Sequence, residues 1–200
     1  PGALILSAVE LANIGGGFTT LDLIKTGQSG NVSIDSALSM ARAMNVLLGS
    51  GAFALNSSLT ITGGTSSFSN NGRTLVGPGS VTLSASSAFF GGLVDASGAG
   101  ANFRVSSPGL VNFVNSIGAG SALASLNVDG GGLTRVRNLV RAGSATFANA
   151  TEIATNTTFS GGTVSFLSSL DSGAGGPFSA TFLGGIGGTN VSFLGGVGQT

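Results

Sequence analysis

Thr163-Val164-Ser165-Phe166-Leu167-Ser168-Ser169-Leu170-Asp171 returns further on as Asn190-Val191-Ser192-Phe193-Leu194-Gly195-Gly196-Val197-Gly198. Between them stands a third copy, Ser179-Ala180-Thr181-Phe182-Leu183-Gly184-Gly185-Ile186-Gly187. Each copy begins by alternating large apolar residues with Ser, Thr or Asn, the period-2 signature of a strand buried on one face only. The copies from 179 and 190 then run into glycine, which turns a chain at positive φ without steric penalty. Ser144-Ala145-Thr146-Phe147-Ala148-Asn149-Ala150 and Val111-Asn112-Phe113-Val114-Asn115-Ser116-Ile117-Gly118 are looser relatives. The intervals between Phe113, Phe147, Phe166, Phe182 and Phe193 are unequal. The copies are therefore either successive coils or different faces of one coil.

The same grammar extends outward to Thr20–Ile24, Asn31–Ile34, Ser58–Thr62, Ser80–Ser84, Asn102–Val105 and Ser125–Val128. Corners follow at Gly15-Gly16-Gly17, Gly63-Gly64 and Gly130-Gly131-Gly132. One such unit cannot bury its apolar face alone, whereas stacked units bury a continuous interior. A β-sandwich would need edges protected by charge or proline. This chain has only 7% charged residues and 4 prolines. The fold expected is therefore all-β, a right-handed parallel β-helix spanning 1–200 as one domain or as a segment of a longer repetitive protein. At about 20–25 residues per coil this gives about 8–10 coils and about 40–50 Å of length, with like residues stacking at about 4.8 Å.

One stretch departs from this grammar. Leu38, Ala41, Met44, Leu47 and Leu48 recur at helical spacing, with Asp35 or Ser36 placed to cap and Gly49 to stop. This pattern predicts a short helical excursion near 36–48, the competing reading being two more strands. Ser84–Gly100 is ambiguous too, with Phe89-Phe90 expected to reach the core from a longer loop.

Composition narrows function. Hydrophobic residues make up 42%, too many for a disordered chain, and the 36 glycines follow no collagen period. Cys, His, Trp and Tyr are absent, which removes Ser-His-Asp and Cys-His nucleophile arrangements and thiolate or imidazole metal ligands. Net charge is zero, and Arg135, Arg137 and Arg141 are too few to track a phosphate backbone, so no nucleic-acid partner is expected. They are expected to face solvent on one coil. No membrane-spanning segment and no signal peptide are read in the chain.

The acids, Glu10, Asp22, Asp35, Asp95, Asp129, Glu152 and Asp171, are nowhere local neighbours. Coil stacking could still unite Asp22 with Asp35, or Asp129 with Glu152, as glycan-cleaving solenoids require. The bland alternative is that all sit at exposed or corner positions. Asp129-Gly130-Gly131-Gly132 falls short of the calcium-binding G-G-x-G-x-D repeat. Gly15-Gly16-Gly17 and Gly27-Gln28-Ser29-Gly30 lack the lysine of a phosphate loop. Asn-x-Ser/Thr triplets begin at Asn31, Asn56, Asn149, Asn156 and Asn190, and only Thr60-Ile61-Thr62 has the form of an ice-binding array. No catalytic, cofactor-binding or metal-ligating residue is assigned, and no cofactor is expected.

Val111–Gly118, Ser121–Val128, Ala148–Phe159 and Gly162–Phe166 followed by Leu170-Asp171 give an order of strand, new-coil leucines, glycine corner and threonine-rich strand. This order resembles the repeat region of filamentous-haemagglutinin-like and autotransporter-type bacterial surface adhesins, over about 60–80 residues, with degenerate motifs. The resemblance implies a parallel β-helix exported through an outer-membrane pore and projecting from the cell, with no catalytic residues to carry over. The function expected is a non-catalytic extracellular adhesin or stalk segment meeting a protein or surface receptor. The alternative is a subunit that self-associates end to end into a filament, sheath or surface layer.

Overall fold

The computed structural model describes residues 4–5, 18–25, 30–63, 65–184 and 188–198. Among these the chain is an all-β parallel solenoid without a helix. Every strand pair runs parallel, so each coil lies on the one before it, and three faces wind along the stack. The first face starts with Leu4–Ile5, Val32–Ile34, Ala52–Leu55, Arg73–Val76 and Val94–Ala96. The second is eight strands deep, from Thr20–Lys25 to Leu170–Ser172, which makes seven coil-to-coil steps. The third runs from Leu38–Met40 through Gly79–Ser84, Ala101–Ser106 and Leu123–Asp129 to Asn190–Phe193. A nine-residue strand, Leu139–Phe147, joins the first and third faces. Its start, Leu139 to Arg141, pairs with Thr158 to Ser160, and its end, Ser144 to Phe147, pairs with Thr163–Phe166. Gly143 sits between the two halves, where a Cβ would lie 2.7 Å from the Ala124 carbonyl oxygen.

Alternation decides which side chains face inward. On the third face Leu38, Leu59, Leu83, Val105, Val128, Phe147, Phe166 and Phe193 stand one above another in register. The expected phenylalanine ladder is present: Phe147 stacks on Phe166 at 5.2 Å and Phe166 on Phe193 at 5.3 Å. The repeats from 163 and 190 are thus successive coils of the third face, whereas the copy from 179 lies on the first face, Phe182 stacked 5.3 Å from Phe159. Phe166 is fully buried and Phe182 half-buried, while Phe193 is 39% exposed because no further described coil lies over it.

The helical excursion near 36–48 is not found. Residues Leu38–Met40 and Ala43–Leu48 are strands on the third and second faces. Met44, Val46 and Leu48 point inward, and Asn45 and Leu47 point out. Ala41, on the expected helical stripe, is exposed, whereas Val46, outside it, is buried. Strands before and after explain the choice: Ala43–Leu48 pairs along its whole length with Thr20–Lys25 and covers Phe68 on the other side. A helix would leave both of those ladders without partners, which outweighs local spacing. Phe89-Phe90 is likewise strand, within Ala88–Phe90, and only Phe90 enters the core.

Corners are held by glycine and by a few buried amides. At Gly130-Gly131 both residues have positive φ, 110° and 89°. The Gly131 N–H donates to Asn149 Oδ1 at 2.8 Å, and Asn149 Nδ2 donates to the Asp129 carbonyl, tying one coil's corner to the next. The corner triplets Gly15-Gly16-Gly17 and Gly27-Gln28-Ser29 lie outside the described residues, as does Glu10.

One core position is poorly matched. Thr134 is completely buried over Val111 and beside Thr151, and its Oγ1 makes no hydrogen bond. Thr151 differs, because its hydroxyl donates to the Asn149 carbonyl. Removing a buried, unbonded hydroxyl without changing shape recovers its desolvation penalty. Thr134→Val should therefore raise unfolding free energy by about 1 kcal/mol, while Thr151→Val gains nothing, as urea denaturation followed by circular dichroism will read.

Candidate functional site

The described acidic residues occupy outward or corner positions, as strand alternation requires. Asp22 accepts a hydrogen bond from Asn45 Nδ2 at 2.9 Å across adjacent strands of the second face. Asp35 accepts from Asn56 Nδ2 and from Ser33 Oγ, and those two bonds hold its carboxyl below the usual range. Burial pushes the Asp129 carboxyl up, but its bonds to Arg104 and Ser106 and the Arg104 charge outweigh that and hold it low. The same contact, bond first and charge second, raises the Arg104 guanidinium. Arg104 Nε lies 2.7 Å from Asp129 Oδ2.

Neither carboxylate pair weighed from the sequence is brought together. Asp22 lies on the second face and Asp35 follows a first-face strand. Asp129 ends a third-face strand, whereas Glu152 lies on the second face. The fold instead aligns Arg135, Glu152 and Asp171 on three successive strands of the second face. Sequence separation gave no sign of this, because neighbours on that face are 17 residues apart at one step and 19 at the next, Thr134 to Thr151 and Thr151 to Leu170.

A groove of about 520 Å³ opens beside Glu152, walled by Ser172 and the Gly173–Pro177 loop. Arg135 donates from Nε at 3.0 Å and from Nη2 at 2.6 Å to the same oxygen, Glu152 Oε2. That carboxylate reaches across Gly173, where a Cβ would lie 3.5 Å from Oε2. Ser172 Oγ accepts the Phe178 N–H at 2.9 Å, and the Gly176 N–H donates to the Gly173 carbonyl, so the loop is folded back onto its own strand. A second hollow of about 340 Å³ shares Ser172 and Pro177 and adds Asp171 and Phe178.

Arg135, Arg137 and Arg141 do fall within one coil, but each is half-buried, and Arg135 meets the Glu152 carboxylate. Of the Asn-x-Ser/Thr sites, Asn149 is buried in its corner bonds, while Asn156 and Asn190 are exposed. Among the described residues no three acidic side chains converge as a metal-ligand set, and no helix is long and apolar enough to cross a membrane. Set against family models, curated proteins and solved structures, the chain gives no match in any of the three comparisons.

Proposed function

We propose that this chain is a non-catalytic, extracellular scaffold: a stalk or adhesin segment whose task is to extend from a bacterial surface and present side chains along its faces. The observation that carries the reading is the unbroken parallel ladder, eight strands deep on the second face, over one continuous apolar column. Such a stack gains length by adding coils while each coil contacts only its neighbours, which suits a stiff spacer. The parallel solenoid is also the fold that the adhesin-like order of motifs implied. Most of the acids are engaged in bonds that shape corners and strands, which supports a structural role for them. Small-angle scattering should give an elongated particle with a constant cross-section, and antibody should label intact, unpermeabilised cells of the producing organism. A compact scattering profile, labelling only after permeabilisation, or new reducing ends released from polysaccharide would each overturn it.

A further inference from the structure

Strand alternation sorts the Asn-x-Ser/Thr triplets. Residues two apart on a strand share a face, so the asparagine and the hydroxyl point one way and the residue between them the other. At Asn31-Val32-Ser33 and Asn156-Thr157-Thr158 the middle residue is buried, the asparagine is exposed and the hydroxyl residue is half-buried. Each asparagine stands one residue ahead of a first-face strand, Val32–Ile34 or Thr157–Gly161. In Asn190-Val191-Ser192, which opens the strand Asn190–Phe193, asparagine and serine are both exposed. Asn149-Ala150-Thr151 has the opposite phase, with Asn149 and Thr151 buried.

Hydrogen bonding separates them further. Asn31 Oδ1 accepts the Ala52 N–H at 2.9 Å, and Asn156 Oδ1 accepts the Ser179 N–H at 3.0 Å, each from the next coil. Those bonds hold each carboxamide by its oxygen and leave Nδ2 unbonded among the described residues. The Asn190 carboxamide makes no hydrogen bond among them. At Asn56, by contrast, Nδ2 donates to Asp35 Oδ1 at 2.6 Å, and Ser58 Oγ accepts the Thr82 N–H at 3.0 Å. Asn149 Nδ2 donates to the Asp129 carbonyl at 3.3 Å. A group added at nitrogen leaves the amide oxygen an acceptor. It therefore spares the coil contacts of Asn31 and Asn156 and displaces those of Asn56 and Asn149.

We infer that Asn31, Asn156 and Asn190 are acceptors of N-linked sugar, and that Asn56 and Asn149 are not. The donor is a sugar activated at its anomeric carbon by a diphosphate leaving group and brought by a separate transferase. Nδ2 forms the bond to that carbon, and the bond from carbon to the phosphate oxygen breaks. The diphosphate leaves with the electron pair, and Nδ2 gives up one of its two protons. The product is a neutral secondary amide whose oxygen still accepts. With charged residues at 7%, hydroxyl-rich sugar adds hydration to a surface poor in charge.

The protein isolated from the producing organism is digested and its peptides are mapped by mass spectrometry, beside a Thr158→Val variant expressed in the same organism. Sugar is expected on Asn31, Asn156 and Asn190, with bare asparagine at Asn56 and Asn149. Thr158 is half-buried in the outward row, between Leu139 and Thr181 in register. Valine there removes the hydroxyl of the triplet while Asn156 and the core stay in place. In that variant sugar is lost from Asn156 alone, with the circular dichroism spectrum unchanged. Any of the three sites left bare, sugar on Asn56 or Asn149, sugar carried on serine or threonine hydroxyls in their place, or sugar retained on Asn156 in Thr158→Val each overturns the inference.

Discussion

Replacing Phe90 with alanine is expected to lower the unfolding free energy by about 4 kcal/mol, the range for emptying a fully buried aromatic site. Phe90 has no exposed surface. Its ring lies stacked 4.8 Å from Phe113 at 8°, 5.5 Å from Phe68, and edge-on 5.9 Å from Phe103. Phe68 and Phe113 belong to flanking coils of the second face, and Phe103 belongs to the third. One ring therefore joins neighbouring coils and two walls of the column. The backbone on either side is paired into ladders, so it cannot collapse inward to refill the void. Phe193→Ala is the comparison. That ring is 39% exposed and, among the described rings, meets Phe166 and Phe182, so about 1–2 kcal/mol is expected there, in proportion to the smaller area withdrawn from water. Urea denaturation followed by far-ultraviolet circular dichroism measures both. Hydrogen exchange should place the loss of protection of Phe90→Ala on residues 68–113, because each coil supports chiefly its neighbours. Equal costs for the two variants would mean that the column is not continuous.

The strand faces were legible because alternation is a local property. Val81 and Leu83 on one side and Ser80, Thr82 and Ser84 on the other announce a half-buried strand without knowledge of its partner. Partners were not legible, because corners absorb different lengths: Leu4 lies beside Val32, 28 residues on, while Thr134 lies beside Thr151, 17 on. No period in the sequence could then bring Glu152 over Asp171, and the groove beside them went unread. The error at 36–48 has the same origin. Leu38, Ala41, Met44 and Leu48 do fit a helical stripe, and only the ladders on either side of Ala43–Leu48 show why the strand prevails. Phe89-Phe90 was read as a pair entering the core, yet strand alternation allows only one of two adjacent residues to do so.

Asp95→Ala is expected to cost about 3 kcal/mol and to release the corner at Ala119–Ser121, even though the residue lies on the outward side of its strand. Asp95 pairs in register with Leu75, in the row opposite to inward Val94 and Ala96, but is completely covered. The cover is the next coil's corner. Gly120 and Ser121 donate their N–H groups to Oδ1 at 2.9 and 3.3 Å, and a Cβ on Gly120 would lie 3.0 Å from Oδ2. Arg73, from the coil before, donates from Nε at 3.0 Å and lies 2.9 Å away through Nη2, both on Oδ2. One carboxylate thus fastens three successive coils on the first face. Truncation leaves two corner amides and a guanidinium without their acceptor. Because the Arg73 side chain is 46% exposed, it can turn to water, so most of the cost falls on the amides. Asp95→Asn keeps an oxygen for those amides and loses the ion pair, and should cost about 1 kcal/mol. Arg73→Met should cost no more than that. Hydrogen exchange at Gly120 and Ser121 separates the two contributions: it should accelerate sharply in Asp95→Ala and little in Arg73→Met. If Asp95→Asn and Asp95→Ala destabilise equally, the ion pair and not the amide clamp holds the corner, and the account of Asp95 as a fastener between coils fails.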